Sequence, residues 1–168
     1  MKKKFSSLKT SLSIAVFIIF SFGLLKTSAT LLVGNTKSNN AVVFDEKTGQ
    51  YLGIFIPPDL AGLAKPDDLL FGPDGDIYIS SGDTAENSAI LRYDGKTGEY
   101  KGVFASGNGL VRPYGLAFGP DGNLYVSSFK SDRILRFDGK TGQFIDEFAS
   151  SNGSSEGLNG PDDLIFTE

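Results

Sequence analysis

A turn sequence that occurs three times divides the chain. The motif Asp-x-Lys-Thr-Gly begins at Asp45, Asp94 and Asp138, which are 49 and then 44 residues apart. A second turn, Gly-Pro-Asp-Gly, occurs at residues 72–75 and 119–122. In such turns proline fixes φ, aspartate caps the backbone locally and glycine adopts a positive φ. A period of this length indicates a repeat architecture, in which each unit buries its faces against its neighbours.

Short runs of β-branched and aromatic residues with period-two alternation lie between these turns, which is the pattern of β-strands. The predicted strands are 31–34, 41–45, 51–56, 67–71, 76–80, 89–94, 99–105, 114–118, 123–128, 133–138, 143–149 and 163–167. Four short strands per period is typical of a β-propeller blade. We therefore predict an all-β fold of about three four-stranded blades, an incomplete or half ring, with blade-like repeats at about 31–66, 67–113 and 114–168.

The first 29 residues differ from the rest of the chain. Several lysines precede an apolar run at 12–25, and the small residues of 27–29 follow it. This order is typical of a secretory signal peptide. We predict a signal peptide at 1–29 and a secreted or periplasmic location for a partial propeller of residues 30–168, with no stable membrane span after cleavage. An uncleaved N-terminal membrane anchor is the alternative.

Composition narrows the possible chemistry. Removal of residues 1–29 takes away five lysines and no acid, so 11 basic residues remain against 20 acidic ones. An acidic surface repels nucleic acid and anionic lipid. The chain has no cysteine and no histidine, which excludes Ser-His and Cys-His nucleophiles and the usual zinc sites within it. Carboxylates, hydroxyls, lysines or a hard metal ion remain.

The loops that vary between repeats are expected to gather on the face opposite the conserved turns, where binding usually occurs. These loops lie near 57–66, 81–88, 106–113, 129–132 and 150–161. Residues that enter the innermost strand of each blade should meet at this face, at the mouth of a central channel. They are Asp67, Asp68, Tyr114, Asp162 and Asp163. The four aspartates are candidate ligands for Ca²⁺ or Mg²⁺, and Tyr114 is expected to face a ligand; alternatively, Pro-Asp-Asp only caps a turn.

Three further local features are predicted. Glu46 replaces the first glycine of the repeated turn, so that copy should be strained or longer. Arg92 and Arg136 recur beside apolar neighbours and should pair with nearby carboxylates. Tyr78 and Tyr125 should pack between blades.

The chain resembles the NHL-type and six-bladed β-propeller superfamily, which includes gluconolactonase-like and virginiamycin B lyase-like proteins. The resemblance is carried by Gly-Pro-Asp-Gly-(Asp/Asn)-(Ile/Leu)-Tyr-(Ile/Val)-Ser at 72–80 and 119–127, followed by Ile-Leu-Arg-(Tyr/Phe)-Asp at 90–94 and 134–138. It implies a ring of about six blades. Gluconolactonase-like enzymes hold a divalent metal with acidic and amide side chains, a part that Asp67 and Asp162 could take here. Virginiamycin B lyase-like enzymes rely on a histidine, which this chain lacks.

These observations predict an exported module that binds protein, glycan or a small molecule through its variable-loop face. No catalytic residue is identified and no cofactor is required. The alternative is a divalent-metal-dependent hydrolase of the lactonase type, or a lyase, of the same superfamily. Since the resemblance implies about six blades and the chain supplies three, it is either a fragment of a longer propeller or one half of a homodimer that completes a ring.

Overall fold

The computed structural model describes residues 29–153 and 157–167, and the predicted signal peptide, apart from Ala29, lies outside them. The first sheet contains β1 (Thr30–Asn35), β2 (Asn40–Asp45) and β3 (Tyr51–Ile56). The second contains β4 (Leu69–Phe71), β5 (Ile77–Ser81), β6 (Ala89–Tyr93) and β7 (Tyr100–Ser106). The third contains β8 (Pro113–Phe118), β9 (Leu124–Ser128), β10 (Arg133–Phe137) and β11 (Phe144–Ser150). Two short 3₁₀ helices span Leu60–Gly62 and Phe129–Ser131.

The fold is therefore all-β, as the alternating pattern predicts. In each of the three sheets, neighbouring strands are consecutive in the chain and antiparallel. The last two strands of every sheet change register twice, at equivalent positions. Gly53 and Gly102 lie at these bulges, where φ of 145° and 135° suits glycine. No helix in the described part of the chain has the length and hydrophobicity needed to cross a membrane.

The predicted strand at 163–167 is wrong, because this segment has no regular secondary structure in the described residues. It runs beside the third sheet, where the Gly115 N–H donates to the Asp162 carbonyl at 2.8 Å. Residues 163–167 form no ladder with any strand that the structure describes, and a strand requires one. The first strand of the second sheet is also shorter than predicted, since it begins at Leu69 rather than at 67.

The three sheets pack through alternate faces, so the chain has two separate apolar layers. Between the first and second sheets the buried residues are Ala41, Ile56, Leu63, Ile77, Ile79, Leu91 and Tyr93. Between the second and third they are Tyr78, Ile90, Phe104, Ala105, Leu110, Leu116, Leu124, Val126, Leu135 and Phe137. Because side chains alternate along a strand, the second sheet contributes Ile77 and Ile79 to one layer and Tyr78 to the other. The predicted packing of Tyr78 between units is confirmed.

The recurrent arginines also pair as predicted. The Arg92 Nε donates to Asp76 at 2.6 Å, and Arg136 Nη2 donates to Asp146 at 2.6 Å. Each guanidinium also lies over the tyrosine of its own sheet, 5.7 Å from the ring centre of Tyr78 in the first case. Asp76 is buried beneath Arg92, whereas Asp146 is 44% exposed beside Arg136.

The prediction of strain at Glu46 is wrong. The Asp45 N–H donates to the Gln50 carbonyl at 2.8 Å and the Gly49 N–H to the Asp45 carbonyl at 2.9 Å, as in the other two copies of the turn. In the second copy of the turn this position is occupied by Gly95. Glycine is required there because a Cβ would overlap the carbonyl oxygen of Gly75. In the described residues the first sheet has no equivalent of the Gly75 turn, so Glu46 fits.

Buried serines hold the segments at the starts of β4 and β8. Ser80 and Ser127 have no exposed surface. The Ser127 Oγ accepts the Gly115 N–H at 2.7 Å and donates to the Asp162 carbonyl at 2.6 Å. Ser80 likewise accepts the N–H of Asp68 at 2.8 Å. These hydroxyls therefore hold the backbone of the segments that carry the predicted site residues.

Replacement of Ser127 by alanine should lower the free energy of unfolding by about 1–1.5 kcal/mol, because two hydrogen bonds of the hydroxyl are lost while the Gly115 N–H and the Asp162 carbonyl keep their bond to each other. Urea denaturation followed by circular dichroism measures this loss. Ser106→Ala, at an exposed position at the end of β7, should change stability by less than about 0.5 kcal/mol. Equal losses in the two variants would refute the role given to the buried hydroxyl.

Candidate functional site

The variable loops contact one another, as predicted. The Gly82 N–H donates to the Ala64 carbonyl at 2.7 Å, and the Arg112 N–H donates to Ser88 Oγ at 2.9 Å. The loop after β9 continues the series, since the Phe129 N–H donates to the Arg112 carbonyl at 3.1 Å. Loops from successive sheets thus form one continuous surface, which we call the loop face.

A pocket of about 260 Å³ opens where the segments that lead into β4 and β8 meet the C-terminal segment. We call it the carboxylate pocket; its lining is Asp67, Asp68, Tyr114, Gly115, Asp162 and Asp163. The structure therefore brings together all five residues that the sequence singled out. The lining consists of the same two repeat positions taken three times, as Asp-Asp, Tyr-Gly and Asp-Asp.

Gly115 allows the last of these segments to approach β8. A Cβ at this position would lie 2.7 Å from the Asp163 Cα and 2.8 Å from the Asp162 carbonyl oxygen. An aspartate here, as in the other two copies, would push the C-terminal segment away from the sheet. The middle copy of the motif has glycine for this reason, and the floor of the pocket is backbone at this point.

Asp67 is the unusual residue of the pocket. Its Oδ1 accepts a hydrogen bond from Thr36 Oγ1 at 3.2 Å, while its Oδ2 is buried with no hydrogen-bond partner among the described residues. The side chain is 10% exposed, and the nearest cation is Arg112, with Nη2 3.8 Å from Oδ2. Burial raises the pKa of the Asp67 carboxyl, and the opposing effect of Arg112 is smaller. Asp67 thus has one oxygen that lies near Arg112 and accepts no hydrogen bond within residues 29–153 and 157–167.

Asp68 and Asp163 have a different role, because their carboxylates bind the backbone. Asp68 Oδ1 accepts the Leu69 N–H and its Oδ2 accepts the Leu116 N–H, both at 2.8 Å. Asp163 Oδ1 accepts the Leu164 N–H at 2.7 Å. Burial raises the pKa of Asp68 despite these bonds. The second aspartate of Pro-Asp-Asp is therefore a backbone cap, whereas the first copy's Asp67 faces the pocket.

The residues present do not form a carboxylate cage for a metal ion. In residues 29–153 and 157–167, no group of three or more histidine, cysteine, aspartate or glutamate side chains is placed to hold a metal. Both oxygens of Asp68 already accept hydrogen bonds from N–H groups. Among the described residues, Asp67, Asp68, Asp162 and Asp163 therefore line one pocket without three carboxylates placed around a common point.

An arginine and two aromatic rings continue the wall of the pocket. Arg112 Nη2 donates to the Tyr114 hydroxyl at 2.7 Å, and its guanidinium carbon lies 4.8 Å from the centre of the Tyr114 ring. Phe129 contacts Tyr114 edge to face, with ring centres 4.8 Å apart. The Arg112 Nε is buried without a hydrogen-bond partner among the described residues. The predicted ligand-facing Tyr114 is therefore held rigidly from two sides.

Asp83, beside this wall, holds three cations. Its carboxylate contacts Lys65 at 2.8 Å, Arg112 at 2.8 Å and Lys130 at 2.9 Å. Hydrogen bonds from Lys65 and Lys130 hold the pKa of Asp83 well below its usual range. Sequence reasoning missed this cluster, because each member comes from a different variable loop and none lies in a repeated motif. Asp83 fixes Arg112, which in turn orients Tyr114.

No family model matches the chain, and no curated protein is significantly similar to it. The functional argument therefore depends on the geometry of the loop face. Its two decisive features are the unused oxygen of Asp67 and the ordered wall formed by Arg112 and Tyr114.

Asp67→Asn should raise the melting temperature at pH 7. Because burial raises its pKa, the ionised Asp67 destabilises the folded state above that pKa, and an uncharged amide removes this cost. As pH falls through the raised pKa towards the ordinary aspartate value of about 3.9, wild type takes up its proton and the difference should disappear. Melting curves of both proteins between pH 3.5 and 8 measure it.

Asp83→Asn is the matched control. The pKa of Asp83 is lowered in the folded protein, whereas that of Asp67 is raised, so the two substitutions should change the melting temperature in opposite directions. The ionised form of Asp83 is stabilised in the folded protein, so this variant should melt below wild type at pH 7. The difference should shrink as pH falls below the ordinary aspartate pKa of about 3.9. A drop in melting temperature for both variants at pH 7 would contradict the proposed environment of Asp67.

Proposed function

We propose that the chain is an exported β-propeller module that binds hydroxyl-rich ligands, such as glycan termini, in the carboxylate pocket of its loop face. In this proposal the three sheets are successive blades, and residues 1–29 direct export. Support for the blades comes from one aromatic contact that is repeated between each sheet and the segment that follows it. Tyr78 meets Phe118 of the next sheet edge to face at 5.2 Å, and Tyr125 meets Phe166 in the same way at 4.9 Å.

The single observation that carries the ligand class is the buried Oδ2 of Asp67. A buried acceptor without a donor costs about 1–3 kcal/mol, and a ligand hydroxyl that gained access to this oxygen from the pocket would recover this energy. Arg112, which lies 3.8 Å from this oxygen, offers a donor beside the acceptor. A hydroxyl group both donates and accepts, so it suits this pair better than an ammonium group, which Arg112 would repel.

Charge excludes anionic ligands from the pocket. Four of its six lining residues are aspartates, and a carboxylate or phosphate would be repelled by them. Carbohydrate hydroxyls are neutral donors that pair well with carboxylates, and the rigid Tyr114 ring supplies an apolar surface beside them. The metal-dependent hydrolase or lyase is the second candidate, and no observation favours it, since the pocket lacks a group of three placed metal ligands among the described residues.

Glycan-array screening of the purified protein, followed by calorimetry with the strongest glycan, tests this proposal. Asp67→Asn should weaken binding at least about tenfold, because the lost bond to a charged acceptor is worth about 1.5–3 kcal/mol. The control is Asp45→Asn, an exposed carboxylate of the repeated turn. Asparagine caps turns as aspartate does, so this variant should bind as wild type does.

Two results would overturn the proposal. One is a folded protein that binds no glycan on the array, or one whose affinity falls equally in the Asp67→Asn and Asp45→Asn variants. The other is saturable binding of Ca²⁺ by calorimetry that Asp67→Asn abolishes, which would support the metal-dependent alternative instead.

A further inference from the structure

The first sheet lacks the strand with which the other two sheets begin. In the second sheet β5 pairs with β4 on one side and β6 on the other, and β9 in the third sheet is also flanked on both sides. By contrast, β1 pairs only with β2 within the described part of the chain. Its outer edge presents unpaired backbone groups, which natural proteins cover.

The C-terminal segment, residues 161–167, has the sequence of a first strand but belongs to no sheet among the described residues. Its sequence Pro-Asp-Asp-Leu-Ile-Phe repeats the Pro-Asp-Asp-Leu-Leu-Phe that leads into and forms β4. Phe166 packs on Tyr125 with ring centres 4.9 Å apart, as Phe118 of β8 packs on Tyr78 at 5.2 Å. The segment therefore lies where the first strand of a following sheet would lie, and it forms no ladder with the described strands.

The outer face of the first sheet is apolar and matches the faces that are buried in the other two. Register pairs Leu31 with Phe44 and Val33 with Val42, as it pairs Ile77 with Tyr93 and Ile79 with Leu91. The equivalent residues of the second and third sheets are all buried: Ile77, Ile79, Leu91, Tyr93, Leu124, Val126, Leu135 and Phe137. In the first sheet Leu31 is 58% exposed, Val33 and Phe44 are half-buried, and Val42 is buried.

We propose that residues 163–167 of one copy form the missing first strand of the first sheet of a second copy, antiparallel to β1. Two such seams join two chains into one closed ring of six sheets. We take the register of the added strand on β1 from that of β4 on β5, where the opposed pairs are Leu69–Ile79, Leu70–Tyr78 and Phe71–Ile77. It places Leu164 opposite the partner copy's Val33, and Phe166 opposite its Leu31. The occupant is a second copy because the contact repeats, at a third place, the interface found twice within the chain.

Glu46 supports this seam independently. In the second and third sheets, the turn between the first two strands places the Gly75 and Gly122 carbonyls where a Cβ at Gly95 or Gly139 would be. A continuous turn of this kind in the first sheet would collide with Glu46. A first strand that arrives as a separate segment carries no such turn, so it can pair with β1 and leave Glu46 in place. The inference uses only sheet contacts and does not depend on the ligand of the carboxylate pocket.

Cysteine cross-linking tests the register, because the chain contains no cysteine of its own. Two full-length single variants, Val33→Cys and Leu164→Cys, are each purified, checked for folding by circular dichroism, mixed and mildly oxidised. A disulfide between directly opposed strand positions should give a band of two chains on a non-reducing gel, containing one copy of each variant. Leu32→Cys mixed with Leu164→Cys is the control, since Leu32 points to the other face of β1 and should give at least about tenfold less product.

Amide hydrogen exchange of wild type provides a readout that does not depend on a substitution. The Ser80 N–H faces the first strand of its sheet, so by alternation the equivalents of Tyr78 and Ser80, Leu32 and Gly34, should donate to the added strand. The Leu32 amide should exchange slowly at high protein concentration and at least about tenfold faster on dilution below the dissociation constant, whereas the Val33 amide, which faces β2, is the internal reference. The proposal is overturned if the folded variants form no mixed disulfide, if Leu32→Cys links as well as Val33→Cys, or if exchange on β1 is independent of concentration.

Discussion

Replacement of Gly142 by alanine should destabilise the protein by about 2–5 kcal/mol. Gly142 has a φ of 73°, which costs a residue with a side chain about 1–2 kcal/mol. A Cβ there would also overlap the carbonyl oxygen of Phe104 in the preceding sheet. Relief of that overlap must move the turn away from its neighbour, a packing cost of about 1–3 kcal/mol. Equilibrium unfolding in urea measures the sum.

Gly122→Ala separates the two causes. Gly122 has a similar φ of 78°, but no atom lies within 4 Å of the place that a Cβ would take there. This variant should lose only the backbone term of about 1–2 kcal/mol. If the two alanine variants were equally stable, contact between the repeated turn and the preceding sheet would not be a source of stability, and the stacking of sheets described above would be refuted.

Tyr78→Ala should cost about 3–5 kcal/mol, as truncation of a large buried aromatic does. The side chain is 1% exposed. Its ring centre lies 4.7 Å from that of Phe104 and 5.2 Å from that of Phe118, both edge to face. It therefore links the second sheet to the third, and its loss leaves a cavity in the layer between them. The expected result is a lower urea midpoint, with the loop face loosened as well because β8 carries Tyr114.

Tyr78→Phe is the matched control for the hydroxyl. The Tyr78 hydroxyl donates to Asp74 Oδ2 at 3.0 Å, and Asp74 keeps its ion pair with Arg92 when this bond is lost. The cost should be about 0.5–1.5 kcal/mol. A Phe variant as unstable as the Ala variant would show that the hydroxyl, rather than the ring between the sheets, stabilises this layer.

The strand pattern of the fold was predictable because repetition and alternation agree along the chain. Ile-Leu-Arg-(Tyr/Phe)-Asp places alternate residues on opposite faces, and in the second sheet Ile90 packs towards the third sheet while Leu91 and Tyr93 pack towards the first. The buried hydroxyls of Ser80 and Ser127 were not predictable as functional supports. Their positions at strand ends are as typical of solvent-exposed serines, and only the fold places them under the loops.

The two errors of strand and turn prediction have one physical origin. A strand is defined by its partner, so the sequence of residues 163–167 alone could not show whether a ladder forms. Strain at Glu46 was predicted on the assumption that the turn needs the positive φ that glycine permits. Instead, Gly95 and Gly139 are needed because a Cβ would overlap the carbonyl oxygen of a neighbouring turn. Both depend on contacts between segments that are distant in sequence.

The site was predictable in its location and less so in its chemistry. The repeat placed Asp67, Tyr114 and Asp162 at one end of the innermost segments, and they line one pocket. The sequence could not distinguish Asp67, with its unused oxygen, from Asp68, which caps the backbone, because both belong to the same Pro-Asp-Asp motif. The cation cluster around Asp83 depends on loops that share no motif.

The central claim is that each sheet buries one face against the opposite face of the next, and that the two end faces do the same with a second copy. Sedimentation equilibrium of the full chain at several concentrations tests this claim most directly. We expect a folded species with the mass of two chains that dissociates only on dilution. A folded species with the mass of one chain at every concentration would contradict it.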